Sequence, residues 1–119
     1  MDKKNAHITS LKERWEFLLG KLSVMLGEPP DLQGVIYLIG VQELGKGFLK
    51  FSKDQKQDLM HIATCKLLSY SGYYVLEGED LDGWPHWKPV KEIPKLSLKE
   101  QDWMLKEAAI TYFEEIEFI

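Results

Sequence analysis

Asp58, His61 and Cys65 stand at positions i, i+3 and i+7, so on a helix they share one stripe. A carboxylate, an imidazole and a thiolate are a ligand set that zinc accepts, and His86 is the remaining nitrogen donor that would complete it. The spacing is loose, because a zinc signature normally pairs Cys or His at two places and here the second pair is missing. The competing reading, a solvated histidine beside a half-buried cysteine, carries more weight, since free cysteine usually packs as a small hydrophobe.

Proton transfer needs a group whose pKa is tuned by burial or neighbours, and Glu43 and His61 are the candidates for it. Glu43 falls on the same side as Ile36 and Ile39 of an apolar stretch, in line with Gln33. It also lies in the last turn before Gly45, where its carboxylate can reach water.

The strongest binding signal is aromatic. Trp84-Pro85-His86-Trp87 puts two tryptophans and a histidine into four residues outside any expected helix. Tyr73 and Tyr74 precede them in the same connection. Tryptophan and tyrosine offer large contact area at small rotamer cost, which suits a ligand or partner surface. Anchoring of a long loop by its own aromatics competes evenly with that reading.

Other patterns exclude chemistry. Asp80-x-Asp82-Gly83 resembles the middle of a calcium loop, but in that frame Gly78 and Pro89 occupy the two essential ligand positions. Gly45-Lys46-Gly47 lacks the upstream glycine and the Ser/Thr of a phosphate loop. No nucleophile elbow, His-Glu-x-x-His or paired Glu-x-x-His is present. The 119 residues carry 15 Lys plus Arg against 19 Asp plus Glu, and Arg14 is the sole arginine. That balance argues against nucleic acid as a partner. The apolar run Val35–Ile39 is far short of the roughly 20 residues that span a bilayer, so no membrane partner is expected. One cysteine allows no internal disulfide, and Met1–Ser10 has no basic-then-apolar leader, so a reducing cytoplasm is the expected compartment.

The elements that must position these groups are legible from their ends. Ser10 with Glu13, Ser52 with Gln55 and Ser97 with Glu100 each form the capping-box pattern. Helices are predicted over residues 11–26, 32–44, 53–71 and 98–117, the second of them capped by Asp31. In the first, Leu11, Trp15, Leu18, Leu22 and Met25 make an apolar stripe. The second is apolar all round and reads as the central helix, with Gly34 and Gly40 permitting close contact; a buried strand over residues 35–41 is its alternative. The third shows Leu59, Met60, Ala63, Leu67 and Tyr70 on its main face, opposite the Asp58 stripe. The fourth shows Leu98, Leu105, Ala109, Tyr112 and Ile116. Its end carries Glu114, Glu115 and Glu117, which a helix dipole disfavours, so the last turn should fray or meet a basic neighbour. Residues 73–95 form a long aromatic loop or a short β-hairpin, with Pro85 and Pro89 confining one strand to an edge.

The fold expected is mainly α, a single-domain four-helix bundle over residues 1–119. The leading functional expectation is a small soluble non-enzymatic binding or interaction module. Tyr73, Tyr74, Trp84, His86 and Trp87 would meet a protein partner, a small ligand or a second copy of the chain. The alternative is a metal- or small-ligand-dependent enzyme with Asp58, His61, Cys65, His86 and Glu43 around one pocket and zinc as its metal.

Overall fold

The computed structural model of the chain describes residues 10–119. The reading of Met1–Ser10 as lacking a leader therefore falls, but for Ser10, outside the described residues. The chain is mostly helical, with a small antiparallel sheet between the third and fourth helices. Its order is α1 (Leu11–Leu26), α2 (Leu32–Leu44), α3 (Lys53–Ser69), β1 (Tyr74–Glu79), β2 (Pro85–Pro89) and α4 (Leu98–Glu115). No described helix is long and apolar enough to cross a membrane.

Serine hydroxyls start three of the helices. Ser52 and Gln55, and Ser97 and Glu100, exchange both hydrogen bonds of a capping box. Ser10 makes only half of one, accepting from the Glu13 N–H at 3.1 Å. Asp31 caps α2 by accepting from the Gly34 N–H at 2.8 Å. The β-branched run 35–41 is helical, and Gly45 closes α2 in the left-handed region at φ 74°.

Two helices end earlier than predicted. α3 stops at Ser69 because Tyr70–Gly72 turns back, with Gly72 at φ 81° and the Tyr73 N–H bonded to the Leu68 carbonyl. α4 stops at Glu115, where the Phe118 and Ile119 N–H groups both return to the Phe113 carbonyl. The glutamate-rich end meets hydroxyl and ammonium groups. Tyr70 donates to Glu115 at 2.7 Å, and Lys21 donates to the Phe118 carbonyl at 2.8 Å.

The main core joins Trp15, Leu18 and Leu22 of α1 to Val35, Ile36 and Ile39 of α2, Ala63 and Leu67 of α3, and Ala109, Ile110, Tyr112 and Phe113 of α4. Met25, Leu98 and Ile116, expected on inward stripes, are exposed instead, because they lie at helix ends beyond the core. The hub is α3 rather than α2, since α3 alone touches α2, α4 and both strands. Its second face buries Ile62, Cys65 and Leu68, and both strands of the hairpin pack against α3. Val41, Leu44, Phe51 and Leu59 form a smaller core against which Tyr37 and Trp84 pack.

α1 and α4 run parallel. Arg14 in the first turn of α1 pairs with Glu107 at the middle of α4, and Lys21, further along α1, meets Phe118 just past the end of α4.

The hairpin pairs Tyr74 with Pro89, Val75 with Lys88 and Leu76 with Trp87, then Gly78 with His86 and Glu79 with Pro85. The shift between Leu76 and Gly78 leaves Glu77 as the extra residue of a bulge, next to Gly78 at φ 138°. Alternation along β2 leaves Pro85 and Trp87 half-buried and His86 and Lys88 exposed.

Candidate functional site

Where the hairpin meets α3 there is an open cleft of about 260 Å³. α3 contributes Asp58, His61 and Ile62; the turn and β2 contribute Asp80, Trp84, Pro85, His86 and Trp87. Helical spacing puts the first set on one face, and the hairpin lays the second set across it.

Asp80 organises the turn. Its Oδ1 accepts the N–H groups of Asp82 at 2.9 Å and Trp84 at 3.0 Å, while its Oδ2 lies 3.0 Å from His86 Nε2. The Asp80 N–H in turn donates to the Trp84 carbonyl at 3.0 Å. The bond from His86, then that from the Trp84 N–H, hold the Asp80 carboxyl below its ordinary value. The sequence offered Asp80 only as part of a calcium-loop pattern whose essential ligand positions are missing. The signal that identifies it is an aspartate two residues before an Asp-Gly pair, the spacing of a side-chain-capped turn.

Trp84 is both anchor and wall. Its ring meets Phe51 edge-on at 6.5 Å, yet the residue is only half-buried and lines the cleft. Trp87 is also half-buried there, and its Nε1 is shielded from solvent with no hydrogen-bond partner. A buried donor left unpaired costs about 1–3 kcal/mol, so native folds rarely keep one without a reason.

The predicted stripe on α3 is divided. Asp58 and His61 are exposed and line the cleft, whereas Cys65 is buried under the hairpin, 3.5 Å from His61 Nε2. Burial pushes the Cys65 thiol up to about 11, so on its own it carries its proton at neutral pH. The stripe was expected to face away from the core; the hairpin covers its C-terminal part. Among the described residues no three His, Cys, Asp or Glu side chains are placed to hold a metal ion together. His61 and His86 do share the cleft, but Glu43 is not in its wall.

Glu43 belongs to another cluster. It is half-buried and accepts from the Tyr112 hydroxyl at 2.8 Å, while Tyr70 donates to Glu115 close by. Burial, and then these carboxylates, push both phenols well above their ordinary value. Both are held neutral, and their bonds join α4 to α2 and to the end of α3.

Tyr73 and Tyr74 lie at the open end of the hairpin, outside the cleft wall. The Lys91 ammonium sits 4.6 Å from the Tyr73 ring centroid, and the Tyr73 carbonyl accepts from Val90. Compared with known proteins, the chain matches no protein-family model, no curated protein and no solved structure.

Proposed function

We propose that this chain is a small non-enzymatic binding module, a helical bundle whose recognition surface is the cleft between α3 and the hairpin. Trp84, His86 and Trp87 form its hairpin wall, and Asp58 and His61 its helical wall. The observation that carries this reading is that both hairpin tryptophans are half-buried beside an open cleft rather than closed into the core. A loop pinned only by its aromatics would bury them. The mixed wall of indole, imidazole and carboxylate suits a small ligand or a peptide side chain with apolar and polar parts.

The test uses the four tryptophan indole N–H signals in a two-dimensional NMR spectrum of the full chain. A library of small polar aromatic and peptide fragments is titrated in. Binders should shift the Trp84 and Trp87 signals, and Trp87→Phe should abolish their binding while leaving the thermal midpoint nearly unchanged. Fragments that bind without moving either signal, or a cleft that takes none, would overturn the proposal.

A further inference from the structure

The structure holds a second, unrelated concavity that nothing above uses. Between the N-terminal halves of α1 and α4 runs a groove of about 480 Å³, within the range that takes small ligands. Its apolar surface is Leu11, Trp15, Leu19 and Trp103. Trp15 is almost fully buried and forms the floor, while Trp103 is 54% exposed. An indole so exposed beside a second one is poorly explained by packing alone.

The polar rim is asymmetric. It offers Lys12, Lys99 and Lys106 against Glu16 and Asp102. Asp102 is engaged by Lys106 at 3.0 Å, and the same ammonium lies 5.5 Å from the Trp15 ring centroid. Lys12 and Lys99 have no ion pair among the described residues. They stand in the first turns of two parallel helices, so the positive ends of both dipoles add to their field. Glu16 lies one turn further along α1, which places the cationic end at Lys12 and Lys99 and the apolar body along Trp15, Leu19 and Trp103.

We infer that this groove binds a small amphipathic anion, its ring or short chain between the two indoles and its charged head at Lys12 and Lys99. Two probes with the same naphthalene body and opposite charge test this on the full chain: 2-naphthalenesulfonate and 2-naphthylmethylammonium. Calorimetry should show the sulfonate binding and the ammonium binding weakly or not at all. The sulfonate should move the Trp103 indole signal and leave Trp84 and Trp87 in place, which separates this site from the hairpin cleft. Reversing both lysines (Lys12→Glu with Lys99→Glu) should weaken the sulfonate about tenfold and favour the ammonium. Both side chains are exposed, so this variant keeps its fold even if Trp103→Ala does not. Equal affinity for the two probes, or sulfonate binding indifferent to the lysine reversal, would overturn the inference. So would sedimentation showing a dimer that Trp103→Ala dissociates, since a second copy would then own the groove.

Discussion

The Tyr112 hydroxyl donates to the Glu43 carboxylate at 2.8 Å, and this bond ties α4 to α2 across the half-buried side of the molecule. Removing the hydroxyl with Tyr112→Phe leaves the ring packed and deletes only the bond. The expected loss is about 1–2 kcal/mol, as for a hydrogen bond to a carboxylate that retains some access to water. Glu43→Gln should cost less, because its amide oxygen still accepts. Urea denaturation of both variants measures the difference.

Alkaline pH should destabilise the fold. The Tyr70 and Tyr112 phenols are raised above their ordinary value of 10.0, chiefly by burial. Below that value both states hold the proton, and the stabilisation is complete. Above it the unfolded chain ionises first, so stability falls as pH rises toward the higher folded values. Cys65 adds the same trend between 9.0 and about 11. Thermal midpoints should hold up to about pH 9 and drop from there toward pH 11, and Tyr112→Phe should flatten the curve.

Gly40 and Gly20 should respond to alanine with opposite signs. A Cβ at Gly40 would collide with the backbone carbonyl of Leu59, itself fully buried. The cost should be about 3 kcal/mol, the upper end for overpacking, because backbone cannot rotate aside. At Gly20 the space is open, so alanine should stabilise α1 by about 0.5–1 kcal/mol through helix propensity. Paired denaturation curves test both.

Asp80→Ala should loosen the hairpin while sparing the helices. It removes the acceptor for Asp82, Trp84 and His86 together. Far-UV circular dichroism should stay near wild type, while cross-strand contacts between Leu76 and Trp87 weaken in NMR spectra. Acid should act alike: the Asp80 carboxylate's contribution is present above its ordinary 3.8 and is lost as pH falls through the lower folded value.

Cys65 should resist thiol reagents. It is buried and protonated at neutral pH, so Ellman's reagent should label it only as fast as the hairpin lifts from α3. Asp80→Ala, by loosening that cover, should speed the labelling.

Helix starts and stops were legible because caps are local chemistry: a serine three residues before Gln55 or Glu100 specifies its helix without reference to the rest of the chain. Gly40 was likewise readable as a close crossing, although its partner Leu59 was not. The site was legible in its members more than in its arrangement. Trp84, His86, Trp87, Asp58 and His61 line one cleft, whereas the sequence had put the aromatics and the α3 stripe into separate readings that shared only His86. Cys65 is buried beside an exposed His61, in line with the favoured reading of it as a small hydrophobe; what the sequence could not show is which element covers that part of the stripe. Asp80 was overlooked because its role lies in three bonds made by a turn, not in its residue type. The α1–α4 groove was hidden for a related reason: Trp15 and Trp103 each read as ordinary helix residues, and only the parallel docking of two remote helices makes them neighbours.

That parallel docking bears on how the chain reaches its native state. Arg14 and Glu107 are 93 positions apart, so α1 finds its main neighbour only after nearly everything between has been made. During synthesis, Trp15, Leu18 and Leu22 must wait with their apolar face uncovered, whereas α2, α3 and the hairpin can pair with close sequence neighbours. α1, made before the other described helices, is thus among the last to be seated. A chain interrupted before α4 would present that face to chaperones or to other copies of itself.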